Sequence, residues 1–435
     1  RDPEANYHKM SFDELKKTIS GIDWDAYMKG LGIQVPAELN VEQVEPIQEV
    51  ARLMNTLPLS KHVSYLEYNL LDAAASCLSD DFVAARFDFY GKVLSGRQVN
   101  QPRWKRAVNS VNGMLGELVG EMYVEKYFPA AAKERMVKLV KNLQTALGER
   151  IDAQEWMSDS TKIRAHEKLA AFHVKVGYPD KWKDYSKLEI KNDSYWANVC
   201  RASEWGFNDM YSRIGKPVDK DEWLMTPQTV NAYYNPSTNE ICFPAAILQP
   251  PFFNMEADDA ANYGAIGVVI GHEMTHGFDD QGRQFDKDGN LTDWWAPGDA
   301  DRFKERAQVM VDFFNKIEVL PGLQANGELT LGENLADHGG LNVAYLAFQN
   351  ATKDAPLGVV DGFTPEQRFF LAYATLWAGN IRDEQIRVYT KSDPHSLGKW
   401  RVNGALPHIQ AWYDAFHITP SDPLYVAPEN RVNVW

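Results

Sequence analysis

The sequence contains little cysteine, and the few cysteines follow no pattern. Among 435 residues there are three, Cys77, Cys200 and Cys242, and no two of them form a C-x-x-C pair. Such wide spacing suggests neither a disulfide framework nor a thiolate zinc site. Since the number is odd, at least one thiol is unpaired within the chain, and the favoured interpretation is that all three are small buried apolar residues.

Long apolar runs are also missing, and the 60 acidic residues outnumber the 45 basic ones. No stretch approaches the roughly 18 consecutive apolar residues of a membrane-spanning helix, so we expect no transmembrane segment in this chain. The formal net charge of −15 argues against nucleic acid or an anionic membrane surface as a partner, because both favour a basic protein face. Neither an initiator methionine nor a signal peptide is visible, so we expect the interior of a longer polypeptide or a processed product.

Apolar and aromatic residues, at 44% and 12%, are plentiful enough for a folded globular protein, and the length predicts two domains. Apolar residues recur at helical spacing through roughly the first 190 residues. Ser11 and Glu14 form a capping-box pattern that predicts the start of a helix. The other segments predicted as helices are Val41 to Met54, Lys105 to Phe128 (interrupted by Gly113, Gly116 and Gly120), Ala131 to Ile151 and Ser160 to Phe172.

A strand pattern appears later in the chain. Val230 to Tyr234 and Glu240 to Phe243 are rich in β-branched and aromatic residues, and the segment between them has the composition of a turn, with Pro236 inside it. The sequence therefore predicts a β-hairpin, whose exposed strand could pair with an extended peptide.

The most specific spacing lies in Gly271–Gly277, which reads G-H-E-M-T-H-G and contains the H-E-x-x-H pattern. Residues four apart lie on one helical face, so His272 and His276 could bind a single ion, while Glu273 could reach a water on that ion. Zinc suits this set, because it accepts nitrogen and oxygen ligands and lowers the pKa of bound water to about 7. The pattern arises by chance in about 1% of chains with this histidine content, so packed or solvated histidines stay an alternative for the motif alone.

A catalytic zinc site needs a further protein ligand, and the best candidate is Glu333 in the segment G-E-N-L-A-D-H-G-G, Gly332–Gly340. Asp337 lies four residues further on, hence on the same helical face, and could accept a hydrogen bond from the far ring nitrogen of a ligand histidine. Taken alone, Glu333 would be interpreted as a solvated carboxylate, and the repeated spacing favours the functional interpretation. His338 points elsewhere and is predicted to be a neighbour, not a ligand.

With these residues the chain resembles the neprilysin and endothelin-converting-enzyme family of zinc metallopeptidases, which includes bacterial oligopeptidases. Separated motifs occur in the family's order along the whole chain, which makes the resemblance specific, and the terminal Trp435 fits it as well. The motifs are Val230–Tyr233, Phe243–Phe253, Val269–Asp280, Gly332–Asp337 and His395–Arg401.

The resemblance implies roles for individual residues. It implies that one zinc ion per chain is bound by His272, His276 and Glu333, that Glu273 is the general base, and that Asp337 is the hydrogen-bond partner of a ligand histidine. It also implies that His395 stabilises the tetrahedral transition state, which requires a donor aimed where the carbonyl oxygen gains charge. Without the family, His395 would be interpreted as an ordinary loop histidine.

The resemblance also implies a substrate site. Two kinds of contact are expected, to the substrate main chain and to the side chain after the cut bond. The main-chain contacts are assigned to Asn231, the backbone of Ala232, and Arg401. The apolar pocket is assigned to Phe252, Ile247, Val269 and Trp377, for each of which core packing is an equal alternative when it is taken alone.

The fold that the resemblance implies is mainly α with a small β-sheet. Residues 186–435 are expected to form a thermolysin-like (gluzincin) zinc catalytic domain, residues 71–185 part of a helical lid domain, and residues 1–70 a helical segment that packs on the catalytic domain. Animal members have cysteines where this chain has Ala378, Ile418 and Val432, so a bacterial member fits better. The match begins inside the family pattern, so an amino-terminal segment or chain of the same protein is an expected partner.

The function that follows is a zinc metalloendopeptidase that cleaves oligopeptides on the amino side of bulky hydrophobic residues. Oligopeptides are expected because a lid over the site would exclude folded proteins. By family analogy the protein is expected outside the cytoplasm, secreted, periplasmic or envelope-associated, with a cytoplasmic location as the alternative.

Two other functions stay open. An aminopeptidase related to thermolysin would usually carry its third ligand close behind the motif, whereas here the separation is 333 minus 276, or 57 residues. A metal-stabilised peptide-binding protein without turnover would be expected to lack the base or the transition-state donor, yet Glu273 and His395 are both present.

Overall fold

The structure, a computed structural model, describes residues 2–435 and is mainly helical with small sheets, which confirms the predicted fold class. The helices are α1 (Phe12–Thr18), α2 (Trp24–Leu31), α3 (Val44–Thr56), α4 (Leu59–Ala74), α5 (Asp80–Arg86), α6 (Arg103–Met114), α7 (Gly116–Tyr127), α8 (Ala130–Ala153), α9 (Asp159–Ala170), α10 (Tyr195–Tyr211), α11 (Asp259–Asn262), α12 (Val268–His276), α13 (Asp299–Phe314), α14 (Leu331–Thr352), α15 (Pro365–Leu376), α16 (Asp383–Ser392), α17 (Gly398–Asn403) and α18 (Gln410–Phe416). The strands are β1 (Lys9–Ser11), β2 (Glu38–Asn40), β3 (His173–Gly177), β4 (Tyr233–Asn235), β5 (Glu240–Pro244), β6 (Glu318–Leu320) and β7 (Leu323–Gln324).

Packing divides the described residues into two compact units. Unit 1 comprises residues 2–115 and Lys183–Asp219, and unit 2 comprises Gly116–Trp182 and Lys220–Trp435. These units are defined by packing alone. The assignment of residues 1–70, 71–185 and 186–435 to a packing segment, a lid and a catalytic domain stays a prediction.

Unit 1 is built from short helices with a small core of its own. Helix α1 begins at Ser11, whose Oγ accepts a hydrogen bond from the Glu14 N–H while the Glu14 carboxylate accepts one from the Ser11 N–H, so the predicted capping box is confirmed. The residues that form the core of this unit are Phe12, Leu15, Ile19, Val41, Val44 and Ala51. Cys200 on α10 is exposed, so the expectation that every cysteine is buried is wrong here, because the helix turns this position to solvent.

Unit 2 contains the large core and the sheet that matters for the site. The sheet has the order β3-β5-β4. Strands β4 and β5 are antiparallel and form the predicted hairpin, and β3 is parallel to β5. Strand β4 begins at Tyr233, later than predicted. Helices α8 and α12 pack on α14, which lies in the middle of this core.

The backbones of α12 and α14 approach each other closely. A Cβ atom added at Gly340 would lie 2.7 Å from the Val268 carbonyl oxygen and 2.8 Å from the His272 nitrogen, and one added at Gly271 would lie 2.9 Å from the Gly340 oxygen. Glycine at these positions therefore allows the two helices to bring their polar residues within hydrogen-bond distance. No helix in residues 2–435 is both long and apolar enough to cross a membrane.

Candidate metal centre and active site

Three side-chain atoms from α12 and α14 converge on one point. The Nε2 atoms of His272 and His276 lie 3.0 Å apart. The Oε2 atom of Glu333 lies 3.2 Å from the first and 3.6 Å from the second. The histidines are one turn apart on α12, and Glu333 is in the first turn of α14, so the packing of these two helices assembles the triangle.

This triangle has the size that a zinc ion requires. Ligand atoms about 2.0–2.2 Å from a tetrahedral zinc ion lie about 3.3–3.6 Å from one another, close to the observed separations. Glu333 Oε2 is buried and accepts no hydrogen bond from any residue in the range 2–435. A buried carboxylate oxygen without a donor is costly unless a cation lies beside it, so the residues present fit a metal ion.

The two histidines are held in the tautomer that a metal needs. His272 Nδ1 lies 2.8 Å from Asp337 Oδ1, and His276 Nδ1 lies 2.6 Å from Asp279 Oδ2. Because carboxylates accept hydrogen bonds, each Nδ1 donates, and each Nε2 is left with a lone pair. Asp279 is not predicted from the sequence, although a carboxylate three residues after His276 is a signal that could identify it.

Electrostatics in the centre favour an anionic Glu333. Burial raises the pKa of Glu333, but the adjacent His276 and His272 rings outweigh burial and hold this pKa well below its usual range. A ligand carboxylate that stays ionised is what metal binding requires.

Glu273 lies beside the ligands and is buried. Its carboxylate is within 4.8 Å of a ring nitrogen of His272 and of a ring nitrogen of His276. Burial raises the pKa of Glu273, which makes the ionised carboxylate a stronger base.

Arg401 binds the carboxylate behind His272. Its Nε donates to Asp337 Oδ2 at 2.8 Å and one Nη donates to Oδ1 at 2.6 Å. The guanidinium also stacks on Trp377, with Cζ 3.9 Å from the ring centroid, and the Tyr373 hydroxyl donates to the Arg401 carbonyl. Arg401 is thus fixed by buried contacts, and its implied role with the substrate main chain stays a prediction.

His395 approaches the centre from the loop between α16 and α17. Its Nε2 lies 3.3 Å from Glu333 Oε1, and its side chain is 48% exposed. Asp393 Oδ1 accepts hydrogen bonds from both the backbone N–H and Nδ1 of His395, at 2.9 and 2.8 Å. Asp393 therefore orients the His395 ring, and this residue is not predicted from the sequence either.

The residues that the resemblance assigns to the substrate site differ in how deeply they are buried. Asn231 is exposed and Ala232 is buried, directly before β4, which pairs with β5 alone in the described part of the chain. The other edge of β4 pairs with no strand in the described residues, as expected of an edge strand. The candidates for the apolar pocket all pack against the main core, and their pocket role stays a prediction: Ile247 is buried, and Phe252, Val269 and Trp377 are half-buried.

Comparison with known proteins identifies the family. Two family models, both described as peptidase family M13, match residues 1–179 and 231–432. The chain belongs to peptidase family M13. The neprilysin and endothelin-converting-enzyme resemblance is thereby confirmed.

Relatives from this family match the chain along its whole length. Human membrane metallo-endopeptidase-like 1 is 34% identical over 457 residues, covering 100% of this chain and 58% of the relative. Bovine (Bos taurus) endothelin-converting enzyme 1 is 34% identical over 452 residues, covering 100% and 59%, and mouse (Mus musculus) neprilysin is 33% identical over 459 residues, covering 100% and 61%. The chain spans about three fifths of the length of these relatives.

Solved structures of M13 peptidases have the same fold. The Mycobacterium tuberculosis zinc metalloprotease ZMP1, in complex with an inhibitor, superposes with a TM-score of 0.96 at 42% identity, covering 100% of this chain and 67% of that one. PepO from Lactobacillus rhamnosis superposes with a TM-score of 0.88 at 29% identity, covering 100% and 68%. The fold and the family are thus established together.

Proposed function

We propose that this chain carries the active site of a zinc metalloendopeptidase, with one zinc ion per chain, that hydrolyses oligopeptides on the amino side of bulky hydrophobic residues. The observation that carries the proposal is the triangle of Nε2, Nε2 and Oε2 atoms from His272, His276 and Glu333, with the Glu273 carboxylate beside it. The printed names of the relatives, a metallo-endopeptidase and a zinc metalloprotease among them, support the same reaction.

The chemistry that zinc supplies when bound is that of a Lewis acid, which polarises the scissile carbonyl and lowers the pKa of water to about 7. Glu273 accepts a proton from the water that attacks the carbonyl carbon and passes it to the leaving nitrogen as the carbon–nitrogen bond breaks. The net reaction adds one water across the peptide bond, and Glu273 returns to its ionised form.

His395 stabilises the charge that develops on the carbonyl oxygen. Asp393 holds its Nδ1, so the opposite ring nitrogen, Nε2, faces the centre. When that nitrogen carries a proton it donates a hydrogen bond to the oxyanion, and such a donor is worth about 100- to 1000-fold in kcat.

An extended peptide fits the free edge of β4. Asn231 and the backbone of Ala232 lie directly before this edge strand, where main-chain hydrogen bonds hold a substrate regardless of its sequence. Binding along a strand lets the peptide extend in both directions from the cut bond, as an endopeptidase requires.

The test is Glu273→Gln, compared with Glu305→Gln on the exposed side of α13. Zinc stoichiometry is measured under metal-replete conditions, and turnover is measured on an internally quenched oligopeptide with an acetylated amino terminus. We expect one zinc ion in both variants and loss of turnover in Glu273→Gln alone. Unchanged turnover in Glu273→Gln, or a wild type without bound zinc, contradicts the proposal. A wild type that binds zinc and cleaves peptides only when their amino terminus is not acetylated is an aminopeptidase. A wild type that binds zinc and cleaves neither kind of peptide is a binding protein.

Two broader features remain proposals, supported by the family resemblance. One is a location outside the cytoplasm, which cell fractionation tests. The other is an additional amino-terminal segment or chain of the same protein, which the mass of the natural polypeptide tests.

A further inference from the structure

A buried lysine in unit 2 has no part in the mechanism above. Lys168 lies near the end of α9 and is 1% exposed. Its Nζ donates hydrogen bonds to the carbonyl oxygens of Gly282 and Phe285, at 2.7 and 2.6 Å. The rings of Tyr234, Phe278 and Trp294 surround the amino group, with centroids 5.7–5.9 Å away. Burying an amine is costly unless it is hydrogen-bonded, so these bonds fix its place.

Both carbonyls belong to the loop that follows the metal-binding helix α12. In that loop Asp279 Oδ1 accepts hydrogen bonds from the N–H groups of Gln281 and Gly282, at 2.9 and 2.7 Å, and its Oδ2 accepts from His276 Nδ1. Gly282 is therefore held on both sides, by Asp279 through its N–H and by Lys168 through its carbonyl. A continuous path of hydrogen bonds joins the lysine to the ligand histidine.

The loop has little room to move without moving Asp279. A Cβ atom at Gly282 would lie 1.7 Å from the His276 carbonyl oxygen, so the loop folds back directly on the end of α12. A shift of Gly282 therefore changes the position of the Asp279 carboxylate relative to the His276 ring.

The other ligand histidine is supported in a comparable way. Asp337 accepts a hydrogen bond from His272 Nδ1, and the Arg401 guanidinium donates hydrogen bonds to Asp337. Behind His276 stands Asp279, which is bonded by backbone N–H groups, and those are anchored in turn by Lys168. Each histidine thus has a carboxylate partner. Arg401 binds Asp337 directly, whereas Lys168 is joined to Asp279 through the backbone of Gly282.

We propose that Lys168 is a positioning residue for the metal site, which holds the loop after α12 so that Asp279 keeps the His276 ring in its metal-binding orientation. This inference rests on the proposed zinc site and adds a residue to it. Residues that orient metal ligands through a hydrogen bond typically change metal affinity by about 10- to 100-fold when they are replaced. Lys168 is one hydrogen bond further from the histidine than such a residue, so we expect a change in zinc affinity near the lower end of this range.

The anchor does not depend on the charge of the lysine. Burial lowers the pKa of Lys168 to about 7, against the opposing charges of Asp279 and Asp286. A neutral amine still has two N–H hydrogens, one for each carbonyl. We therefore expect the loop to be held in both protonation states.

The experiment compares Lys168→Met with the wild type in the full chain. Methionine keeps a similar length but donates no hydrogen bond. Zinc dissociation constants are measured by competition with a fluorescent chelator, and we expect about tenfold weaker binding. Lys168→Gln, which keeps one donor group, should fall between the two proteins and serves if the methionine variant folds poorly.

A matched control is Lys175→Met. Lys175 is also buried, on β3, and its Nζ donates to the Glu222 carbonyl and pairs with Glu240 on β5. Neither strand carries a proposed metal ligand. We expect its zinc affinity to stay within about twofold of the wild type. An equal loss in this control means that any buried lysine has the same effect, which overturns the proposal.

A double-mutant cycle tests the path itself. If Lys168 acts through Asp279, the double variant Lys168→Met with Asp279→Asn should bind zinc no more weakly than Asp279→Asn alone. Additive losses, or a Lys168→Met protein with wild-type affinity, overturn the proposal. A wild type that binds no zinc refutes the proposed function instead, so the two failures are distinguishable.

Discussion

On one side of the metal centre, His272, Asp337 and Arg401 are each less than a tenth exposed, whereas on the other side the His395 side chain is 48% exposed. The buried side is held by helix packing, with α12 and α14 in backbone contact at Gly340. The open side is held by a loop and by the end of an edge strand. The comparison indicates that the proposed metal ligands lie in the core of unit 2, while the proposed substrate contacts lie on segments that can change without disturbing that core.

This difference separates the expected effects of mutation. Changes on the buried side should alter both zinc affinity and folding stability, because the same hydrogen bonds serve both. Changes on the open side should alter turnover or substrate affinity and leave zinc affinity and stability unchanged.

The largest effect is expected from Asp337→Ala on the buried side. The change leaves the Arg401 guanidinium buried without its carboxylate and His272 Nδ1 without its acceptor. Breaking a buried ion pair typically costs about 3–5 kcal/mol of unfolding free energy, and zinc affinity should fall by about 10- to 100-fold. Chemical denaturation and chelator competition measure the two quantities, with the exposed Asp354→Ala as control. A loss of stability below about 1 kcal/mol, within the range of a surface pair, would place Asp337 with the open side.

An intermediate effect, on kcat alone, is expected from His395→Phe. Loss of an oxyanion donor costs about 100- to 1000-fold in kcat, while zinc affinity and stability should stay at wild-type values. His166→Phe is a matched control in unit 2, because His166 has a 41% exposed side chain and a carboxylate partner at 2.7 Å. Weaker zinc binding in His395→Phe would show that the loop contributes to the metal centre and would remove the proposed separation.

Helical and loop residues of the centre also differ in how well the sequence predicts them. Helix geometry places residues four apart on one face, so the pairs His272 with His276 and Glu333 with Asp337 could be proposed from spacing, and the structure brings all four together. Asp279 lies just beyond the end of α12, and Asp393 lies in the loop between α16 and α17. Their side chains are directed by local turns, which apolar periodicity does not report.

Prediction of the fold from the sequence has the same limit, because only local patterns can be detected. Helices α3, α8 and α9 follow from apolar spacing, and the capping box at Ser11 from a short local pattern. Strand β3 was not predicted, because its partner β5 lies more than sixty residues later in the chain and a parallel pairing leaves no hairpin signal between them. Lys168 gives no signal at all, since a lysine in an amphipathic helix is expected to be exposed.

The smallest effect is expected from Asn231→Ala, at the outer edge of the open side. Asn231 is exposed and precedes the edge strand β4, where it is proposed to bind the substrate main chain. Loss of one such hydrogen bond should raise KM about two- to tenfold and leave kcat unchanged, since the contact is made equally in the ground state and the transition state. Steady-state kinetics on the same blocked peptide measure both constants, with the exposed Asn433→Ala as control. A fall in kcat at constant KM would mean that the edge strand aligns the scissile bond in the transition state, so that the open side would participate in the chemistry and not only in binding.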